Sequence, residues 1–93
     1  MATVYSYKSA DAIIDRYIKR GGDVYTVPGC LVDSHIVTAP GFKSYIIRET
    51  PLSCYSSGVT IRRYNKIPAK YQAVIDAFEN GDDERAARLF WKR

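Results

Sequence analysis

The side chains best suited to binding a ligand lie between Thr50 and Ile75, a stretch with no acidic residue. Its basic and tyrosine side chains are interleaved: Tyr55, Arg62, Arg63, Tyr64, Lys66, Lys70 and Tyr71. Carboxylates return at Asp76, so the positive charge is concentrated in one part of the chain. Cations beside aromatic rings bind anionic partners such as nucleic acid, and Tyr and Arg also dominate hot spots of protein interfaces. This stretch therefore predicts a binding surface.

Catalysis has weaker support in the residue types. Cys30, His35 and Asp33 could in principle form a relay of thiolate nucleophile, imidazole base and orienting carboxylate. Only their identities support this, because cysteines on strands are more often small core residues and a lone histidine beside an aspartate is more often structural. No Cys or His pair has metal-ligand spacing, and Gly21-Gly22 follows a helix instead of opening one. We therefore expect no enzyme activity, no metal and no cofactor.

Length and composition limit the chain to one small domain. It has 93 residues, a formal net charge of +4 and a calculated pI of about 9.2, which favours acidic partners. The first residues lack the pattern of a signal peptide, and no apolar run approaches the roughly 20 residues that span a bilayer. We therefore expect a cytoplasmic protein with no membrane partner.

Cys30 and Cys54 are expected to be reduced, although a single bridge between them stays possible if their strands are neighbours.

The N-terminal part predicts one amphipathic helix. Ser9 can cap a helix over residues 10–20, which Gly21-Gly22 would end. Its apolar positions follow the spacing of one buried face: Ala10, Ile13, Ile14, Tyr17 and Ile18.

Residues 23–64 predict strands, because β-branched and aromatic residues alternate with turn dipeptides. The predicted strands are residues 23–27, 30–39, 42–49, 52–55 and 59–64, with Thr50-Pro51 as an interruption. Connections this short require antiparallel pairing, so we expect a four- or five-stranded meander. A second helix opens at Ile67-Pro68 and ends at Asn80-Gly81, and a short third helix is capped by Asp82 or Asp83.

This order predicts a single α+β domain over residues 1–93, with the helices on one face of the sheet and the other face open. The strand patterns conflict with an open face, because adjacent apolar residues such as Ile46 and Ile47, or Ile36 and Val37, must point to opposite faces. Either the sheet curls into a partial barrel, or a partner covers the second face.

The last predicted strand places Arg62 and Tyr64 on one face and Arg63 on the other, with Val59 and Ile61 toward the core. We interpret the first face as a surface for stacking and phosphate contact, against the alternative of a solvated strand whose arginine covers a tyrosine ring. The candidate partner-binding residues are Tyr45, Arg62, Arg63, Tyr64, Lys66 and Lys70.

Three resemblances add to this interpretation. The helix–sheet–helix order resembles the double-stranded-RNA-binding domain, but the lysine-rich start of that family's last helix is reduced here to Lys70. Residues 77–86 are similar to the turn of a tetratricopeptide helix pair, which implies a helical hairpin. Residues 56–66, with Pro68, Lys70 and Tyr71, resemble small accessory proteins of phages and conjugative elements of gut bacteria. That last resemblance implies a mobile-element accessory that occludes a host enzyme or nucleoprotein, as anti-CRISPR proteins do.

The leading hypothesis is thus a non-catalytic binding protein or inhibitor that occludes a protein or nucleoprotein through a basic, tyrosine-bearing sheet face. Direct RNA or DNA binding by the same face is one alternative, and its affinity should fall steeply with salt. The other alternative is a structural homo-oligomer, such as a homodimer, in which the two-faced apolar strands pair across a two-fold axis.

Overall fold

The structure, a computed structural model, describes residues 3–92. Within these residues it has the following strands and helices in chain order: β1 (Val4–Tyr5), α1 (Tyr7–Lys19), β2 (Asp23–Val27), β3 (Ser34–Thr38), β4 (Ser44–Pro51), β5 (Ser57–Tyr64), α2 (Ala69–Glu79) and α3 (Asp83–Trp91). The predicted α+β class, with an antiparallel sheet and C-terminal helices, is confirmed.

The strands form one antiparallel sheet in the order β1-β5-β4-β3-β2. Strands β2 to β5 are the predicted meander, while β1 adds to the outer edge of β5 through Val4 and Tyr5. Strand β1 was not predicted, because two residues are too few to show an alternating pattern.

Helix α1 begins three residues earlier than expected. Ser6 occupies its N-cap position, and Ser9 lies inside the helix instead of capping it. Ala10 and Tyr17 are buried as predicted, whereas Ile18 is 57% exposed. The helix ends before Gly21, whose φ of +75° is left-handed backbone that glycine adopts without steric cost.

The predicted break in the sheet at Thr50-Pro51 is wrong. Thr50 and Pro51 continue β4, paired in register with Gly58 and Ser57, because a proline at the end of a strand sacrifices only a terminal hydrogen bond. Residues 52–55 are consequently the connection to β5 and not a separate strand.

The segment of residues 30–33, predicted as strand, is a loop held by one carboxylate. Glu49 accepts hydrogen bonds from the backbone N–H groups of Cys30 and Leu31, both at 2.8 Å, and of Val32 at 3.1 Å. A side chain at Gly29 would collide with the Val32 carbonyl and the Glu49 carboxylate, so glycine is required there. Cys30 and Cys54 are both exposed and free, and no bridge joins them.

The predicted placement of all helices on one face of the sheet is wrong. Helix α1 packs on the face that carries Val37, Ile47 and Val59. Helices α2 and α3 pack on the other face, against Val27, Ile36 and Ile46. The apolar residues on both sides of the strands are therefore covered by the chain's own helices, so the sheet needs neither a partial barrel nor a partner to bury them.

Candidate functional site

The two faces of the sheet divide the predicted partner-binding residues. Arg62 and Tyr64 share one face, as expected, but this is the α2/α3 face and not an open one, and Arg62 is in register there with Ile46. Tyr45 and Arg63 are in register with each other on the α1 face. There the Tyr45 ring packs edge-on against Tyr17, with centroids 5.7 Å apart. The predicted set is therefore not one surface.

Arg48 is the central cation of the α2/α3 face. It lies on β4 two residues after Ile46, and its Nη1 donates to the Tyr71 hydroxyl and to the Phe90 carbonyl, both at 3.4 Å. Its guanidinium carbon is 5.0 Å from the ring centroid of Trp91 and 5.2 Å from that of Phe90. These contacts hold a positive charge over aromatic rings at a fixed position.

Lys70 brings a second cation close to Arg48. Its Nζ lies 5.4 Å from the ring centroid of Tyr71, the tyrosine that Arg48 contacts. Partial burial and, after it, the positive charge of Arg48 hold the pKa of Lys70 below its ordinary value. Like charges repel each other, and an anion bound between these two side chains would relieve that repulsion.

Arg62 and the two tyrosines complete what we call the basic cluster: Arg48, Arg62, Tyr64, Lys70 and Tyr71. A cavity of about 230 Å³ opens among Arg48, Arg62, Tyr64 and Tyr71. Within residues 3–92, the side-chain ion pairs join Lys19 to Asp15 and Arg88 to Glu84, and none involves a cation of the basic cluster.

Lys66 follows Tyr64 of the basic cluster by two residues in the sequence. It is exposed on the connection between β5 and α2. Arg62 and Arg63 also border a shallow depression of about 430 Å³ at the outer edge of β5, next to Thr3 and Tyr5. At this edge both arginines could contact one ligand, whereas Arg62 and not Arg63 lines the cavity of the basic cluster.

A larger cleft of about 600 Å³ adjoins the basic cluster, and Arg48 lines both cavities. Its walls include Pro28, Pro51 and Trp91. The indole Nε1 of Trp91 donates to the Pro28 carbonyl at 3.2 Å, which ties the end of α3 to the loop after β2.

Glu49 also lines this cleft and keeps its negative charge. Burial alone would raise the pKa of Glu49, but the hydrogen bonds from the backbone N–H groups of Leu31, Cys30 and Val32 outweigh it and hold the pKa below its ordinary value.

The imidazole of the conceivable catalytic relay is hydrogen-bonded to residues outside that relay. Both ring nitrogens of His35 are engaged by hydroxyl groups, Nε2 by Tyr7 at 2.7 Å and Nδ1 by Thr26 at 3.0 Å, while Cys30 is exposed on its loop.

Among residues 3–92, no three His, Cys, Asp or Glu side chains are grouped to hold a metal ion. None of the helices in this part of the chain has the length and apolar character to cross a bilayer.

Three residues of the site, Arg48, Tyr71 and Trp91, were missing from the predicted set. A signal for Arg48 was present, because it follows Ile46 by two residues and so shares the face of a buried strand position, where an arginine is unusual. Trp91 had no comparable signal, since its contact with Arg48 depends on how α3 packs on the sheet.

No protein-family model matches the chain, and no curated protein or solved structure is significantly similar to it. The similarity of residues 56–71 to accessory proteins of phages and conjugative elements stays a prediction, and the case for a function rests on the basic cluster and the cleft beside it.

Proposed function

We propose that this protein is a non-catalytic nucleic-acid-binding protein whose basic cluster contacts the phosphate backbone. One observation carries the proposal: Arg48, Arg62 and Lys70 surround two tyrosines, and none of the three forms an ion pair within residues 3–92. Within residues 3–92 no ion pair offsets the charge of these three side chains, and a group of such cations attracts an external anion.

Phosphate fits the chemistry of these cations. Arginine presents a planar set of donors that matches phosphate oxygens, and lysine adds a compact charge. The Arg48 guanidinium has only two protein contacts within hydrogen-bond reach, each at 3.4 Å and both through Nη1, so most of its donor capacity remains for a ligand.

Both faces of the sheet are covered by helices. This favours direct nucleic-acid binding over the hypothesis that an open sheet face occludes a protein or nucleoprotein. That hypothesis placed a protein on a broad sheet face, and helix α1 covers the face that carries Tyr45. The basic cluster, in contrast, is a small concave surface, which suits a phosphate chain better than a globular protein.

Occlusion of a nucleoprotein is the second candidate, and the connection between β4 and β5 favours it. Leu52 is 61% exposed there and Tyr55 is 94% exposed, so an apolar and aromatic tip is available for a protein contact. A mobile-element inhibitor could use this tip on protein and the basic cluster on nucleic acid.

Fluorescence anisotropy with labelled, mixed-sequence single- and double-stranded oligonucleotides tests the proposal. Affinity should fall steeply between about 50 and 200 mM salt, because counterions are released from phosphates. The double variant Arg62→Gln/Lys70→Gln should bind more weakly and reduce the salt slope by about two.

The matched control is Lys19→Gln/Arg88→Gln, which removes the same charge from two exposed residues that are already ion-paired. Equal weakening in both double variants would show that net charge alone drives binding. That result, or no binding at low salt, would overturn the proposal.

A further inference from the structure

We propose that the ligand is a single strand, one of whose unpaired bases enters the cleft beside Trp91 while its phosphates lie against the basic cluster. This inference rests on the proposed function and names the form of nucleic acid and its orientation. It starts from Arg48, which lines both the 230 Å³ cavity of the basic cluster and the 600 Å³ cleft, so the two lie side by side.

The walls of the cleft suit a flat aromatic ring. Pro28 and Pro51 contribute apolar surface, and Trp91 contributes the largest aromatic side chain in the chain. Bases of single strands stack on such rings without sequence preference, and a neighbouring arginine strengthens the contact through its own planar face.

The Trp91 ring is held in place by the protein itself. Its Nε1 is bonded to the Pro28 carbonyl, and its ring meets Phe90 edge-on with centroids 5.0 Å apart and planes at 83°. A ring fixed before binding loses little conformational entropy when a ligand arrives, which favours affinity.

Charge decides which part of the strand lies where. Glu49 lines the cleft as a carboxylate, so a phosphate would be repelled there, whereas a neutral base could approach it. The phosphates are instead attracted to Arg62 and Lys70, neither of which lines the cleft.

A duplex does not suit this arrangement, because its bases are stacked and paired, and extruding one costs free energy. Single strands offer splayed bases at no such cost. The structure therefore favours single-stranded over double-stranded ligands of the same length.

Intrinsic fluorescence tests the placement directly, because Trp91 is the sole tryptophan among the 93 residues. An unlabelled single-stranded 12-mer should quench this emission and protect it from acrylamide. The quenching should saturate at the concentrations at which anisotropy of the labelled strand saturates. The duplex of the same sequence should bind more weakly and quench less.

Trp91→Leu should lose at least about tenfold in affinity for the single strand and keep the salt slope, since stacking and not charge has been removed. The matched control is Phe42→Leu, which removes an exposed ring that also carries an arginine, Arg20 at 4.5 Å, but on the α1 side. This control should bind like the unmodified protein.

The outcomes separate the inference from the proposed function. Anisotropy binding without any change in Trp91 emission would overturn the base placement and leave phosphate binding intact. Equal affinity for duplex and single strand would also overturn it. No anisotropy binding at low salt would overturn both. The quenching and acrylamide measurements use the unmodified protein, so they decide the matter even if Trp91→Leu fails to fold.

Discussion

The hydroxyl oxygen of Tyr7 lies 2.7 Å from Nε2 of His35 and connects the first turn of α1 to strand β3. On its other side, Nδ1 of His35 is 3.0 Å from the Thr26 hydroxyl of β2. His35 is only 5% exposed, and burial holds the pKa of its imidazole below the ordinary value of 6.5, although the charges of Asp33 and Asp11 oppose that shift. Folding therefore favours the neutral form of the His35 imidazole.

Folding stability should consequently fall as pH decreases from about 7.5 to 5.5. Because the pKa of His35 is lower in the folded state, the unfolded chain binds the proton first, so the contribution is complete above pH 6.5 and is lost as pH falls toward the folded pKa. Urea unfolding at a series of pH values measures this slope.

His35→Gln is the control for this titration, since it keeps a polar side chain beside Tyr7 and Thr26 but cannot take up a proton. The variant should be less stable at pH 7.5 and should show a flatter dependence between pH 7.5 and 5.5. Parallel curves for the two proteins would rule out His35 as the titrating group.

Both faces of the sheet should contribute to stability through their apolar residues. Ile46 is 2% exposed in the core formed with α2 and α3, and Ile47 is fully buried in the core formed with α1. Ile46→Ala and Ile47→Ala should each lower the free energy of unfolding by about 2–5 kcal/mol.

Ile18→Ala is the comparison, because Ile18 is 57% exposed and its change should stay within about 0.5 kcal/mol. Denaturant unfolding of the three variants measures these differences. A nearly neutral Ile47→Ala would mean that α1 does not cover its face in solution.

The loop that borders the cleft should depend on the charge of Glu49. Glu49→Gln keeps the shape but replaces a carboxylate that accepts from the N–H groups of Cys30, Leu31 and Val32. We expect a loss of about 1–3 kcal/mol in unfolding free energy at neutral pH. The difference should shrink as pH falls below about 4.5, because the pKa of Glu49 is lowered in the folded state.

Glu84→Gln is the matched comparison, since Glu84 is an exposed carboxylate whose partner Arg88 is 3.9 Å away. Its unfolding free energy should change by no more than about 0.5 kcal/mol. If both variants lose the same stability, the hydrogen bonds to the loop are not the cause.

The sequence predicted the meander and the helices because their signals are local. Turn dipeptides such as Pro28-Gly29 and Pro40-Gly41 end apolar strands, and Asp82 caps α3 by accepting from the Arg85 N–H at 3.1 Å, as expected. The position of α1 was not predictable in this way. A two-residue strand, Val4–Tyr5, places the start of α1 at the far edge of the sheet from β2, and so carries the helix across one face.

The candidate site was predicted only in part, because the sequence shows which residues of one strand share a face but not how strands and helices pack together. Alternation along β5 was enough to place Arg62 and Tyr64 on one face. Tyr45 was assigned to the same surface although register puts it opposite Arg63, since strand alignment depends on the lengths of turns that the sequence does not specify. The contact of Arg48 with Trp91 joins residues 43 positions apart and arises only from tertiary packing.

Arg62 and Arg63 offer the sharpest test of which surface binds. They are adjacent in β5 and both exposed, but Arg62 faces the basic cluster and Arg63 faces the α1 side. Arg62→Gln should weaken oligonucleotide binding and reduce the salt slope by about one, whereas Arg63→Gln should leave both nearly unchanged. Each variant removes one charge from an exposed strand position, so the unfolding free energy should change by no more than about 0.5 kcal/mol in either.

The comparison also distinguishes two locations for the ligand. Both arginines border the shallow depression at the outer edge of β5, whereas Arg62 alone of the two lines the cavity of the basic cluster. Equal weakening by the two variants would therefore move the binding surface to the edge of β5 and away from Arg48. A loss confined to Arg62→Gln means that the strand lies on the α2/α3 face, because Arg62 points to that face and Arg63 points to the α1 side.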